Sequence, residues 1–105
     1  MRVVAKFKTQ LATLAGVPEV SVEVPDGSTL LQFVRALEEK LSSVGRHVPL
    51  LEGSNAGAEA AMASGVLMLL NDRDVRVFGS LPGVLSSTIL KEGDEVTFLS
   101  FLHGG

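Results

Sequence analysis

The sequence ends in Leu102, His103, Gly104 and Gly105, and this run offers one group that could do chemistry. Two glycines add almost nothing to packing, so the available reactive group is the carboxylate of Gly105. A carboxylate is ionised at neutral pH, and its resonance makes it a poor electrophile. It would therefore have to be activated before it could form a new bond.

Glycine suits a tail that must enter a narrow cleft, because glycine alone has no Cβ. Fully extended, residues 102–105 reach about 13 Å. We expect a folded domain over residues 1–101 and a flexible tail over residues 102–105. Gly105 would be activated, and the preceding Leu102, His103 and Gly104 would be recognised. The alternative is a frayed end, which is common at chain termini.

The other candidate residues make weaker cases. His103 has no orienting partner, and His47 is too far away in sequence to suggest a shared metal site without cysteine. Asp72 and Asp74 flank Arg73, but a calcium loop needs many more oxygen ligands, so we interpret this run as a solvated turn. No serine lies in a nucleophile-elbow pattern. The sequence therefore predicts no catalytic residue, metal or cofactor, and a protein that is not an enzyme.

The composition restricts the function further. With 105 residues the chain has the size of one domain, and its lack of cysteine excludes disulfides, thiolate nucleophiles and iron–sulfur clusters. A net charge of -3, with nine scattered basic residues, gives no basis for direct nucleic-acid binding. The longest apolar run, residues 66–70, is too short to cross a membrane, and no signal peptide follows Met1. We expect a soluble cytoplasmic protein.

The first half of the sequence predicts two strands and a helix. Residues 2–8 and 20–24 alternate between apolar and polar, and a wide connection between them carries Leu11 and Leu14, which could cover a core edge. Thr29 and Gln32 have the spacing of a capping box at a helix start. The apolar stripe of this helix consists of Leu30, Phe33, Val34, Leu37, Leu41 and Val44, and Gly45 is a plausible stop.

The second half predicts further strands separated by loops. Residues 45–65 lack a period and are interpreted as an insertion, with a possible helical turn near residues 57–63. The sequence then predicts a strand that is apolar on both faces (66–70), an Asn-Asp turn (71–72) and a short strand (75–77). A loop (78–90), a second turn (91–95) and a last strand (95–102) follow.

This order predicts an α+β fold with a mixed sheet of four to five strands packed on one main helix. Connections that do not cross allow the first and last strands to lie side by side in the centre of the sheet. Such an arrangement is the β-grasp, the ubiquitin-like fold.

With this fold in place, two stretches resemble a known family. "GVLMLLNDRDVRVFGSL" and "LKEGDEVTFLSFLHGG" are similar to the ubiquitin-related modifiers, with their apolar strand, Asn-Asp turn and Leu-His-Gly-Gly end. "LATLAGV" resembles the sulfur carriers MoaD and ThiS and the small archaeal modifiers. The sequence departs from the family at the long segment 45–65, at the inserted "PGVLSS", and at Val75, where an aromatic residue is common.

The resemblance implies a sulfur carrier or protein modifier. A ubiquitin-activating-type enzyme would use ATP to adenylate the Gly105 carboxylate. A sulfur donor would then give a thiocarboxylate for tRNA thiolation or for molybdopterin or thiamine synthesis, or lysines of target proteins would accept the acyl group. The expected partners are the activating enzyme, the sulfur donor and an acceptor synthase, thiolase or target protein.

The last strand raises a separate question about its outward residues. Leu99 and Phe101 should point away from a core that contains Phe98, and the neighbouring strand is also apolar on both faces. Inserted loops could cover this second face, or it could be a docking patch, to which we assign Leu99, Phe101 and Met68. Two rival functions also remain open: the small subunit of a molybdopterin synthase, and an inert β-grasp interaction module.

Overall fold

The computed structural model describes residues 1–52, 61–63, 65–79 and 83–100. The expected tail and Phe101 lie outside these residues. In chain order the elements are β1 Arg2–Phe7, α1 Gln10–Ala15, β2 Glu19–Glu23, α2 Leu30–Ser43, β3 Leu51–Glu52, β4 Ala61–Met62, β5 Val66–Leu70, β6 Arg73–Asp74, a 3₁₀ turn Val75–Val77, α3 Gly83–Ser87 and β7 Glu95–Ser100. Within the described ranges, no helix has the length and apolarity needed to cross a bilayer.

The main sheet has the strand order β2-β1-β7-β5-β6. Strands β1 and β7 are parallel and central, whereas β1–β2, β5–β7 and β5–β6 are antiparallel pairs. The expected mixed sheet with its first and last strands side by side is confirmed. The topology matters for function because the central strand β7 is the one that leads towards the C-terminus.

Helix α2 covers one face of the sheet. Its start is the expected capping box: the Gln32 backbone N–H donates to Thr29 Oγ1 at 3.2 Å, and the Thr29 N–H donates to Gln32 Oε1 at 2.8 Å. Five of the six predicted stripe residues are buried, namely Leu30, Phe33, Val34, Leu37 and Leu41. Val44 is the exception: it caps the helix, is 71% exposed, and precedes Gly45 with its positive φ of 81°.

The wide connection between the first two strands is a short helix. In α1, Leu11 is buried in the core, but Leu14 is largely exposed, so the expectation that both leucines cover a core edge is right only for Leu11. Positions 11, 14 and 15 are neighbours on the helix surface, so the spacing alone does not decide which of them is buried. Ala15 is the second buried residue of this helix.

The described parts of the expected insertion are tied to the domain. Val48 and Leu50 are buried in the main core, and Glu38 Oε2 accepts hydrogen bonds from the N–H groups of Leu50 and Leu51 at 3.0 and 3.3 Å. Strands β3 and β4 pair in a small antiparallel sheet. The expected helical turn near residues 57–63 is therefore wrong at residues 61–62, and residues 53–60 lie outside the description.

Two more expectations need correction in the second half. The short strand expected at residues 75–77 is a 3₁₀ turn, capped by Asp74, whose carboxylate accepts from the Arg76 N–H at 2.9 Å. The strand pairing falls two residues earlier, at β6. Residues 83–87, expected as loop, form helix α3, which buries Val84 and Leu85. The Asn71-Asp72 turn is confirmed, with both residues at positive φ, as a two-residue hairpin of the type I′ class requires.

Candidate functional site

The last strand delivers the chain to its C-terminal residues from the middle of the sheet. Phe98 is completely buried, and its ring stacks on that of Phe7 in β1 with centroids 5.8 Å apart. The Lys8 N–H donates to the Phe98 carbonyl at 2.9 Å. The segment that precedes residue 101 is thus held by the two strands on either side of it.

A threonine closes the pairing at the last described residue of β7. The Ser100 N–H donates to Thr9 Oγ1 at 3.0 Å, and the Thr9 hydroxyl donates to the Lys8 carbonyl at 2.6 Å. Thr9 has φ 57° and ψ -140°, an uncommon conformation for a β-branched residue. No sequence pattern pointed to this contact, because hydroxyl residues are common in turns at the ends of strands.

The sheet face opposite α2 combines an apolar half and a charged half. On the apolar side, Leu67 of β5 lies directly opposite Leu99 of β7, and Leu69 lies opposite Thr97. The three leucines are partly exposed, whereas Thr97 is buried between its neighbours. We call Leu67, Leu69 and Leu99 the outer leucine cluster.

The charged half of this face is centred on an ion pair. Lys6 Nζ lies 3.0 Å from Glu95 Oε1, and both side chains are partly exposed. The hydrogen bond to Glu95, and then its negative charge, raise the pKa of Lys6, with smaller contributions from the charges of Glu19 and Asp72. The sequence analysis missed this pair, because Lys6 and Glu95 are far apart in sequence and meet only through the parallel pairing of β1 with β7.

The structure places the predicted docking residues on different faces. Leu99 lies on the outer face, as expected, and Phe101 falls outside the described residues. Met68 is only 1% exposed, because it lies opposite Phe98 and both side chains point into the core beneath α2. The predicted assignment of Met68 to the docking patch is therefore wrong. The alternation of β5 puts Leu67 and Leu69, not Met68, on the same face as Leu99.

The remaining candidates have ordinary structural surroundings. The Asp74 carboxylate is held by the Arg76 guanidinium, with Nη2 at 2.6 Å from Oδ2, and this hydrogen bond lowers the pKa of Asp74. His47 is exposed at the beginning of the segment that leads to β3. Among the described residues no group of three or more His, Cys, Asp or Glu side chains is arranged to hold a metal ion.

Comparison with known proteins gives a consistent result. A family model described as Urm1 (Ubiquitin related modifier) matches residues 19–105. A ubiquitin-related modifier 1 homolog of Caenorhabditis elegans is 30% identical over 84 residues, which are 80% of this chain and 76% of that protein.

Two solved structures extend the likeness to three dimensions. CysO of Mycobacterium tuberculosis, described as an antigen, has a TM-score of 0.66 at 30% identity over 95% of this chain and 99% of its own. SAMP1 of Haloferax volcanii has a TM-score of 0.71 at 19% identity, with both chains covered completely. At that lower identity, the second likeness concerns the fold.

The mixed sheet on one main helix, with a central last strand, defines a ubiquitin-like β-grasp protein of the sulfur carrier and modifier class. The family model extends across most of the chain, including the second strand, the helix and the last strand. The chain belongs to the ubiquitin related modifier (Urm1) family.

Proposed function

We propose that the chain works through the carboxylate of Gly105, which a partner enzyme activates with ATP. The observation that supports this most is that the family model matches through to residue 105, so that Leu102, His103, Gly104 and Gly105 fall within the matched region. Strand β7, which ends at Ser100, is central and paired on both sides. In this proposal residues 1–101 are the body that docks, and residues 102–105 are the tail that enters the partner.

The chemistry begins with an adenylate. An oxygen of the Gly105 carboxylate attacks the α-phosphorus of ATP, a P–O bond to pyrophosphate breaks, and an acyl-adenylate forms. A hydrosulfide-level sulfur donor then attacks the acyl carbon. A C–S bond forms, the C–O bond to AMP breaks, and AMP leaves with the bonding electron pair. The product is a thiocarboxylate, and no net oxidation or reduction takes place.

The same adenylate can serve conjugation. If a lysine amine of a target protein attacks the acyl carbon, the amine loses a proton and an isopeptide bond forms as AMP leaves. The enzyme provides the ATP site in both routes, and the acceptor is a synthase, a thiolase or a target protein. This chain supplies the acyl group and the docking surface, and it contributes no catalytic residue.

The outer leucine cluster is the docking surface in this proposal. Leu67 of β5 and Leu99 of β7 are adjacent across the two strands, and β7 is the strand that leads to the tail. An apolar patch flanked by charged residues is typical of protein–protein contact surfaces. Phe101 follows Leu99 with the same parity along the chain, so the sequence assigns it to this surface as well.

Intact-protein mass spectrometry tests the carboxylate. We expect the purified chain, incubated with its adenylating enzyme, ATP and sulfide, to gain the mass of one oxygen replaced by sulfur. Deletion of Gly105 should abolish the gain. Gly104→Ala should slow it by about tenfold to a hundredfold, because an added Cβ displaces the acyl carbon within a narrow site.

The matched control is Gly83→Ala. A Cβ at Gly83 would meet no atom within 4 Å, so this variant should react like the wild type. An unchanged mass under these conditions would refute sulfur loading, and unimpaired loading of the chain that lacks Gly105 would refute the role of the terminal carboxylate.

The docking surface has a separate kinetic test. Leu67→Ser should raise the KM of the adenylating enzyme for this chain while leaving its kcat nearly unchanged, because it weakens binding of the body alike in ground and transition states. Met68→Leu, on the neighbouring but buried position, should leave both constants unaffected. An unchanged KM for Leu67→Ser would assign docking to another surface.

A further inference from the structure

Thr9 connects three elements at the point where the chain leaves the sheet. It follows the end of β1 and precedes α1, and the Ala12 N–H donates to its backbone carbonyl at 3.1 Å. Its hydroxyl accepts from the Ser100 N–H at 3.0 Å and lies 3.4 Å from the Ser100 carbonyl oxygen. A single exposed side chain thus contacts both backbone polar groups of the last described residue of β7.

The hydroxyl takes the place of one rung of the parallel ladder. The Lys8 N–H donates to the Phe98 carbonyl, so a regular parallel pair would next direct the Ser100 N–H to the Lys8 carbonyl. Instead the Thr9 hydroxyl lies between them, accepting from Ser100 and donating to Lys8 at 2.6 Å. The side chain extends the pairing after the backbone of β1 has turned away.

The turn itself is unusual and held from several sides. Thr9 has a positive φ of 57°, which a β-branched residue adopts only when its surroundings require it. Those surroundings are the hydrogen bond from Ala12 to the Thr9 carbonyl and the two bonds of the hydroxyl. This conformation directs the hydroxyl at the backbone of β7. The side chain of a threonine in ordinary strand conformation would instead point out of the plane of the sheet.

We propose that Thr9 is a positioning residue, which fixes the direction in which residues 101–105 leave the body. The proposal rests on the proposed function of Gly105, because the direction matters only if that carboxylate must reach a reaction centre while the body is docked. Thr9 acts through Ser100 and takes no part in the chemistry.

Simple geometry shows why the root of the tail matters. Five residues reach about 17 Å when fully extended, so a tilt of about 20° at Ser100 would move the carboxylate by about 6 Å. Misplacement of a reacting group by even 1 Å can cost about a hundredfold in rate. A tail that ends in two glycines can adapt its conformation inside a cleft, but the direction from which it approaches the cleft depends on the chain direction at Ser100.

Amide hydrogen exchange tests the contact itself. Thr9→Val keeps the β-branched shape and removes the hydroxyl, and it should make the Ser100 amide exchange about fivefold faster, the factor for one ordinary hydrogen bond. Thr9→Ser keeps the hydroxyl and should leave the exchange close to that of the wild type. The Val4 amide, which donates to the Asp94 carbonyl at the other end of the same strand pair, is the internal control.

Kinetics of adenylation test the positioning role. With the docking surface intact, Thr9→Val should lower kcat by about fivefold, the same hydrogen-bond factor, and leave KM unchanged, and Thr9→Ser should restore kcat. A purely structural role would instead accelerate exchange at Val4 and Ser100 alike, without this split between the constants.

The failures are distinguishable. Unchanged Ser100 exchange in Thr9→Val overturns the contact, and faster exchange with wild-type kcat overturns the positioning role. A rise in KM alone would place Thr9 in the docking surface and also overturns it. A wild-type chain that is never adenylated overturns the proposed function first, whatever the exchange data show.

Discussion

The two faces of the main sheet have similar apolar residues but different surroundings. On the face beneath α2, Met68 and Phe98 are completely buried, whereas on the opposite face their chain neighbours Leu67 and Leu99 remain partly exposed. One helix with an apolar stripe, α2, covers the first face. Burial therefore follows from which face the helix covers. Apolar residues on the outer face are free for a second purpose.

The largest expected difference between the faces is in stability. Phe98→Ala removes a ring that stacks on Phe7 in the core, and it should lower the free energy of unfolding by about 3–5 kcal/mol. Leu99→Ala, one residue further along β7, should cost about 1 kcal/mol, because a partly exposed side chain loses only part of its transfer free energy. Urea unfolding of both variants measures the two values.

The comparison depends on the slope of these unfolding curves. The slope should be the same for the wild type and both variants, because it reflects the surface exposed on unfolding. Equal losses of stability in Phe98→Ala and Leu99→Ala would mean that the outer face is packed as tightly as the inner one, and it would then not be available for docking.

A smaller effect is expected at the start of the helix that covers the inner face. Thr29→Ala removes the side chain that accepts from the Gln32 N–H, and it should cost about 1 kcal/mol. Circular dichroism during urea unfolding measures the change. Thr13→Ala is the control, since Thr13 lies exposed within α1 and caps no helix. A loss as large in the control would mean that the capping box contributes no stability of its own.

The parts of the fold that the sequence predicted are those with local signals. The capping box needs only Thr29 and Gln32, and the hairpin turn needs only Asn71 and Asp72, because each set of contacts is made within four residues. The central, adjacent placement of the first and last strands followed from connections that do not cross. In contrast, α3 was missed because the Pro-Gly pair at its start and the Ser-Ser pair at its end are typical of loops, and the helix is stabilised by burying Val84 and Leu85.

The site was only partly accessible to sequence reasoning for the same reason. The terminal glycines could be selected as candidates from the sequence, because they are adjacent in it. The placement of Met68 could not, because a strand apolar on both faces has no period, and only its pairing with Phe98 shows which side is inside. Thr9 depends on contacts across about ninety residues of sequence, and hydrogen bonds of that span leave no local pattern.

The smallest predicted effect concerns the ion pair on the outer face. The pKa of Lys6 is raised above its ordinary value of 10.5 by the hydrogen bond to Glu95 and then by its charge. A raised pKa in the folded state contributes stability that is fully present below the unfolded pKa and is lost as the pH rises through the folded pKa. The effect is small, because both side chains are partly exposed and solvent screens them.

Lys6→Met should therefore lower the urea midpoint near neutral pH, and its difference from the wild type should shrink only as the pH rises above about 10. The chain has no tyrosine and no cysteine, so no phenol or thiol titrates in this range. Glu95→Gln should remove most of the same pH dependence, because Glu95 is the largest of the groups that raise the pKa of Lys6. Parallel curves for wild type and Lys6→Met across the whole range would show that the pair adds no stability, leaving the outer face held together by its apolar residues alone.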